Sequence, residues 1–209
     1  LGRLNLLTYM ILGYNQMTGP IPPSFGNLRS VYDMELQNNY FTSIPAELSG
    51  CSSLTSLSLG FNFLSGSVPA ELGKLQSLTG LYLENNQLNG TIPAELGQLS
   101  QLAALELDHN LISGTVPKEL GNLGNLETLH LHFNHLSGDL PESLGGLEAL
   151  VDFAVDDNKL VGPIPSGLEK LVCSRLAKVG RRCLMNNNMF TSTDCANSPC
   201  SAKTCGACT

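Results

Sequence analysis

An asparagine recurs along this chain at an almost constant interval, and this period limits the possible folds more than any other feature. Successive members are 24 residues apart, with a single interval of 23. They are Asn15, Asn39, Asn62, Asn86, Asn110, Asn134 and Asn158. A chain of 209 residues with such a period is expected to form an elongated array, in which each unit packs against its neighbours.

The same phrase surrounds each asparagine. In the fourth unit its fixed positions are Leu78, Leu81, Leu83, Asn86, Leu88, Gly90, Ile92, Pro93, Leu96 and Gly97. The Leu-x-Leu alternation predicts a short strand whose leucines point inward and whose intervening residues point outward. One such strand cannot bury its apolar face alone, so we expect successive units to stack into a parallel sheet.

Three residue types mark the turns of each unit. The asparagine follows the strand, and we expect its amide to bind backbone groups of neighbouring turns, which would form a ladder along the array. Gly90 and its equivalents stand where backbone freedom is needed. Pro93 and its equivalents fix φ ahead of a short helical turn. The second unit is one residue shorter, and Ser43 replaces the glycine.

With its Ser/Thr-Gly-x-Ile/Val/Leu-Pro segment, the phrase resembles the plant-type leucine-rich repeat of receptor-kinase ectodomains, receptor-like proteins and polygalacturonase-inhibiting proteins. The resemblance covers residues 1 to about 190. It implies an α/β solenoid: a right-handed superhelix with a parallel sheet on the concave side and short helical or 3-10 turns on the convex side. It also implies a second short strand at the glycine segment, and extracellular recognition of peptides, glycans or proteins.

The two ends of the chain differ from its middle. We assign residues 1–182 to an array of about seven 24-residue repeats, and residues 183–209 to a degenerate last repeat with a Cys-rich C-terminal cap. In that last repeat Cys183, Met185, Asn188 and Phe190 fill the pattern. The Cys pair and Trp usual in the family's N-terminal cap are missing. We therefore expect upstream repeats or neighbouring copies at the uncapped N-terminal end.

The seven cysteines divide into one and six. Cys51 lies in an outer-face segment and is predicted to be an inert, buried thiol. The other six are Cys173, Cys183, Cys195, Cys200, Cys205 and Cys208. A zinc site is an alternative, but this segment has no His and only one paired CxxC unit. Disulfides are favoured for a secreted-type protein, with the pairing open.

Net charge and hydropathy limit which partners and which cellular location the sequence predicts. The net charge is −7, which argues against nucleic acid as a partner. The sequence contains no apolar run that approaches the ~18 residues of a membrane span. One N-glycosylation sequon is present at Asn89, within Asn89-Gly90-Thr91. We predict an extracellular or cell-surface glycoprotein.

The outward strand positions of the first seven repeats contain no Lys or Arg, and they hold nine of the 18 acidic residues. These acids are Asp33, Glu35, Glu84, Glu106, Asp108, Glu127, Asp152, Asp156 and Asp157. The predicted ligand-binding residues are Tyr82, Glu84, Glu106, Asp108, His109, His130, His132, Phe133, Asp152, Asp156 and Asp157. We expect these side chains to point to solvent and the face to prefer a cationic protein or peptide. An ordinary solvated surface is the alternative.

All four histidines lie between residues 109 and 135. A strand spacing of ~4.8 Å places Glu106 beside His130, and Asp108 and Asp156 beside His132. Such a cluster can bind a divalent metal, or act as a pH-sensitive contact in which carboxylates raise the His pKa. Because nothing in the sequence orients the rings and the face is open, we predict no metal and no cofactor. His135 is expected to be separate.

Catalysis has little support, since the chain contains neither a nucleophile-elbow phrase nor a Gly-rich phosphate loop. We predict a recognition module that binds a protein, peptide or glycan on its concave face, and not an enzyme. The alternative is a structural cell-wall, matrix or surface-filament glycoprotein that assembles through its solenoid ends. An ice-binding solenoid would need uniform Thr columns, and the outward columns are mixed.

Overall fold

The computed structural model describes residues 2–171, 183–185 and 187–190. Within these residues the chain is an α/β solenoid, and eight short strands form one parallel sheet in chain order. They are Tyr9–Ile11, Asp33–Glu35, Ser56–Ser58, Gly80–Tyr82, Ala104–Glu106, Thr128–His130, Asp152–Ala154 and Cys183–Leu184. This is the expected concave sheet of a right-handed superhelix. Equivalent residues pair directly, as Leu81 does with Leu105, so the repeat positions form columns across the sheet.

A second set of short parallel strands follows the bend in each unit. Thr18–Gly19 pairs with Tyr40–Phe41, and Ser65–Ser67 pairs with Gln87–Asn89. A four-stranded sheet contains Ser113–Gly114, His135–Asp139, Lys159–Gly162 and Met189–Phe190. Gly90 has φ +74°, in the left-handed region that a glycine adopts without steric cost. The expected second strand and the expected glycine bend are both confirmed.

The convex side carries short helical turns. Six 3-10 helices span Pro23–Asn27, Ala46–Gly50, Ala70–Lys74, Ala94–Gln98, Lys118–Asn122 and Glu142–Gly146, and an α-helix spans Ser166–Leu171. Pro93 precedes one of the turns with φ −65°, as predicted for its class. A Cβ added at Gly97 would overlap the carbonyl oxygen of Glu119, so consecutive turns pack backbone to backbone. No helix in the described ranges is long and apolar enough to cross a membrane.

The asparagine ladder is confirmed by hydrogen bonds between units. Asn110 is 5% exposed, and its Oδ1 accepts from the backbone N–H of Leu88 at 2.9 Å. Its Nδ2 donates to the carbonyl oxygens of Leu83 at 3.0 Å and Leu107 at 3.1 Å. Asn15, in the first unit, is exposed, and its side-chain Nδ2 donates only within its own turn, to the carbonyl oxygens of Leu12 and Gly13. Each later asparagine therefore ties its own turn to the unit before it.

Of the seven cysteines, the structure describes the side chain of Cys51 alone. Cys51 is buried and free, its Sγ donates to the carbonyl oxygen of Phe25 at 3.2 Å, and burial raises the pKa of its thiol to about 11. Backbone residues of the eighth unit continue the sheet, since Cys183 pairs with Phe153. The remaining predicted cap cysteines, and the side chain of Cys183, lie outside the described residues. The disulfide cap stays a prediction.

Candidate ligand-binding face

The outward side chains of the concave sheet form columns at fixed distances before the ladder asparagine, and together they are called the concave face below. The column two residues before it contains Gly13, Gln37, Gly60, Glu84, Asp108, His132 and Asp156. The column four residues before it contains Ile11, Glu35, Ser58, Tyr82, Glu106, His130 and Ala154. Because the strands are paired in register, residues of one column are direct neighbours across the sheet.

The expectation that the acids of this face all point to solvent is wrong for two of them. Asp108 and Asp156 are each only 6% exposed. Both belong to the column two before the asparagine, where the chain turns out of the strand and adjacent repeats cover the side chain. Glu127 is exposed as predicted, and Asp157 is half-buried. The carboxylates at the two buried positions are therefore part of the packed structure.

The buried side-chain polar atoms that form no hydrogen bond are concentrated on the concave face. Within the described ranges these atoms are Asp33 Oδ1, Gln37 Oε1, Glu84 Oε2, Asp108 Oδ1, His132 Nδ1, Asp152 Oδ1 and Asp156 Oδ1. Every one of them lies on the concave face. Native proteins contain a few such atoms per 100 residues, so the shared location of these atoms, and not their number, distinguishes this face. The predicted site residues did not include Asp33 or Gln37. Asp33 shares its column with Asp152, and Gln37 shares its column with Glu84, so membership of these columns would have identified both residues.

The neighbour relations predicted for the histidines are confirmed where the structure gives distances. His130 Nδ1 lies 3.9 Å from Glu106 Oε2, and His132 Nε2 lies 3.6 Å from Asp108 Oδ2. A diagonal contact was not predicted: His130 Nε2 lies 3.2 Å from Asp152 Oδ1 on the next strand, an ion-pair contact that lacks hydrogen-bond geometry. His130 thus lies between Glu106 of the preceding repeat and Asp152 of the following repeat.

His109 and Phe133 join this cluster because of their backbone conformation. Both precede a ladder asparagine and have positive φ, 52° for His109 and 50° for Phe133. The ring of His109 lies 4.4 Å from that of Phe133 and 5.2 Å, edge-on, from that of His132. His109 Nδ1 is also 2.9 Å from Asp108 Oδ2. The rings are therefore oriented by packing and by a carboxylate, contrary to the expectation from sequence.

Burial is the dominant influence on the titrating groups of this face. It raises the pKa of Glu84 to about 7, and it raises the pKa values of Glu106 and Asp156. Burial also raises the pKa of Tyr82, with the Glu106 carboxylate adding to the effect. The expected rise in histidine pKa is wrong for His132, because burial lowers its pKa despite the nearby Asp108.

Three predicted or related residues lie away from the cluster. His135 is exposed at the start of the strand His135–Asp139, and its Nδ1 lies 3.0 Å from the carbonyl oxygen of Asn134. It is separate from the other histidines, as predicted. Asn89 is exposed at the end of the strand Gln87–Asn89, in the second set of strands. Asp157 Oδ1 accepts a hydrogen bond from Asn187 Nδ2 at 2.7 Å.

Repeat period, ladder and parallel sheet define a leucine-rich repeat solenoid, and sequence comparison agrees. Two models, both described as leucine rich repeat, match residues 29–88 and 54–112, and residues 6–28 and 125–147. Together the matches cover more than half of the chain. The chain belongs to the leucine-rich repeat family, and its repeats are of the plant type. No curated protein matches the chain significantly.

Solved structures with the same fold include receptors for plant peptides. The plant peptide hormone receptor RGFR1, in complex with RGF2, is 33% identical with a TM-score of 0.84, over 90% of this chain and 30% of that one. The ectodomain of the Arabidopsis receptor kinase HAESA, with an IDA peptide hormone ligand, is 33% identical with a TM-score of 0.74, over 86% and 29%. A Leptospira interrogans leucine-rich repeat protein is 30% identical with a TM-score of 0.73, over 90% and 45%. The chain thus spans less than half the length of each.

Proposed function

We propose that this chain is part of an extracellular binding protein whose concave face recognises a cationic peptide or a Lys/Arg-rich patch on a protein. The observation that carries this proposal is the composition of the face. Its outward positions over the first seven repeats contain nine acids and no Lys or Arg. Lys and Arg side chains are donors without acceptors, so they suit the carboxylate oxygens of such a face.

Similar structures support a peptide or protein ligand over a catalytic role. Two of the solved relatives are titled as complexes with peptide hormones, RGF2 for one and IDA for the other. Extension of this to the present chain is part of the proposal, since the chain covers about a third of each. The HAESA structure is that of a receptor-kinase ectodomain, which supports an extracellular or cell-surface location for this chain.

The aromatic and acidic residues of the face would contribute in different ways. Tyr82 and Phe133 are aromatic members that lie beside the acids, and Phe133 is 46% exposed. Aromatic anchors usually carry more of the binding free energy than charges at the rim of an interface. The acids would act chiefly on the association rate, which makes binding weaker as salt rises. We therefore expect affinity to fall between about 10 mM and about 150 mM salt.

The test uses selection from a random dodecapeptide library displayed on phage, followed by affinity measurement on the selected peptides. Peptides recovered with the wild-type chain should be enriched in Lys and Arg. A concave variant, Glu106→Gln/Glu127→Gln/Asp157→Asn, should bind them about tenfold more weakly at low salt, because three rim charges contribute about 0.5 kcal/mol each.

A matched control removes the same number of charges from the convex side. Glu71, Glu95 and Glu119 occupy equivalent positions in three 3-10 turns. The Gln variant of all three should bind the selected peptides like the wild type. Equal weakening in the concave and convex variants, or selection of peptides with no excess positive charge, would reject the concave-face proposal.

Glycosylation of Asn89 is a separate consequence of an extracellular location. Asn89 and Thr91 of the sequon are both exposed, so the side chain is accessible to the transferase. Protein secreted from a eukaryotic host should lose mass on treatment with an N-glycosidase, and Asn89→Gln should abolish that loss. Secreted wild-type protein whose mass is unchanged by the enzyme would contradict the proposal.

A further inference from the structure

We propose that Asp108, His109 and His132 form a binding site for Zn²⁺ or a similar divalent transition-metal ion on the concave face. Each residue offers one ligand atom, and these atoms all lie within 4.8 Å of one another. These side chains would bind the ion whether or not the proposed peptide ligand is present.

The distances between the ligand atoms suit a tetrahedral ion. Asp108 Oδ2 lies 2.9 Å from His109 Nδ1 and 3.6 Å from His132 Nε2. Around Zn²⁺, bonds of about 2.0–2.1 Å separate neighbouring ligand atoms by about 3.4 Å. The two measured distances lie on either side of this value, so small side-chain adjustments would be enough for both to reach it.

The side chains are held in position before any ion binds. The His109 ring packs against Phe133, with 4.4 Å between centroids, and His132 contacts the rings of both His109 and His130. Asp108 is on the turn that immediately follows the strand Ala104–Glu106, and it is 6% exposed. A site whose ligands are already ordered loses less conformational entropy on binding.

The burial of Asp108 is a second observation that favours a cation at this position, since only its Oδ2 has a hydrogen-bond partner, His109 Nδ1. Its carboxylate is more than nine-tenths buried, its Oδ2 faces the two histidines, and its Oδ1 forms no hydrogen bond. A buried carboxylate is costly unless it is paired or coordinates a metal ion. The outward strand positions of the seven repeats supply no Lys or Arg to pair with it.

The ligand set indicates which ions fit. Two imidazole nitrogens and one carboxylate oxygen are typical ligands of Zn²⁺, and they also suit Ni²⁺, Cu²⁺ and Co²⁺; Ca²⁺ and Mg²⁺ prefer oxygen alone. The His109 side chain is 43% exposed, so the site opens to the concave face. A fourth position would remain for water or for a group of a bound ligand.

The test is isothermal titration of ZnCl₂ into the full chain after removal of metals with a chelator. His109→Ala is the main variant, because His109 is exposed and its loss should leave the fold intact; circular dichroism checks this. Loss of a residue that only supports a metal ligand lowers affinity roughly 10- to 100-fold. Loss of a ligand itself should cost more, so we expect Zn²⁺ affinity at one site to fall by more than about 100-fold. His132→Asn should have the same effect.

Two control variants make the assignment specific. His135→Ala removes a histidine outside the cluster and should leave Zn²⁺ binding unchanged. His130→Asn should also retain binding, although His130 belongs to the overlapping set Glu106, Asp108 and His130. Loss of binding in His130→Asn with retention in His109→Ala would overturn the proposed ligand set.

The C-terminal cysteines are potential zinc ligands too, so the result rests on differences between variants. The Co²⁺ complex provides a second readout, because coordinating thiolates produce intense charge-transfer absorption that N and O ligands lack. A Co²⁺ signal without thiolate character, lost in His109→Ala, supports the site. Identical Zn²⁺ titrations for the wild type, His109→Ala and His132→Asn would overturn it.

Discussion

Replacing Asn110 by alanine should remove one rung of the asparagine ladder and destabilise the solenoid strongly. The side chain is 5% exposed and bridges two repeats. Its Oδ1 is the acceptor for the backbone N–H of Leu88, and its Nδ2 donates to the carbonyl oxygens of Leu83 and Leu107. Alanine can form none of these bonds, and its methyl group also leaves space that is too confined for full solvation.

The expected loss follows from the groups left behind. A buried polar group that loses its partner costs about 1–3 kcal/mol. The Leu88 amide has a single proton to donate and carries the full penalty, whereas each carbonyl has a second lone pair and carries less. We therefore expect the free energy of unfolding to fall by about 2–4 kcal/mol.

The measurement is urea denaturation followed by circular dichroism, with the midpoint compared at an unchanged dependence on urea concentration. Asn15→Ala is the matched control. Asn15 is exposed and its side chain donates only within its own turn, so loss of that side chain should cost about 1 kcal/mol or less. Asn110→Asp keeps the acceptor but places a carboxylate against two carbonyl oxygens, and it should destabilise at least as much as alanine at pH 7.

The reasoning is refuted if Asn110→Ala lowers stability no more than Asn15→Ala does. That outcome would mean that strand pairing alone satisfies the backbone groups. A stable Asn110→Asp variant would show that donation by the amide contributes nothing.

Three further predictions concern single positions. Gly97→Ala should lower stability in urea by about 1–3 kcal/mol, because its Cβ would overlap the next turn, whereas Gly124→Ala, with open space around it, should change stability by less than about 0.5 kcal/mol. Glu84 has a pKa of about 7 in the folded chain against 4.5 ordinarily, so the folded state binds more protons and stability should fall as pH rises between these values. Glu84→Gln should make that fall smaller but not abolish it, because burial also raises the pKa values of Glu106 and Asp156. Melting temperatures between pH 4 and pH 8, with a chelator present, test it. The buried thiol of Cys51 should resist iodoacetamide at pH 8 until the chain unfolds, as peptide mass spectrometry would reveal.

The repeat architecture could be predicted from the sequence because each unit contains the same pattern of structure-determining residues. A strand of two inward leucines, an asparagine, a glycine and a proline recur with one period, so the register between units is determined as soon as one unit is understood. That register correctly placed Glu106 beside His130 and Asp108 beside His132. The ladder bonds followed from the same argument.

The repeat period does not specify how deeply each side chain is buried or in which direction it points. The sequence identifies Asp108 and Asp156 as outward, but only their neighbours in adjacent repeats decide that both are buried. The His130–Asp152 contact is diagonal across two strands and depends on side-chain conformation. His109 reaches His132 and Phe133 because the residue before each ladder asparagine adopts positive φ. Asn85 and Asp157 are of types that favour this conformation, whereas Phe133 is not, so the sequence signals it only in part.

The sequence by itself therefore determined the solenoid, the columns and the charge of the concave face, because these depend on residue identity and spacing along the chain. The burial of the carboxylates, the lowered pKa of His132 and the grouping of Asp108, His109 and His132 were decided by the tertiary structure alone. Desolvation and ring packing are properties of the surroundings that several repeats create together, and no single repeat encodes them.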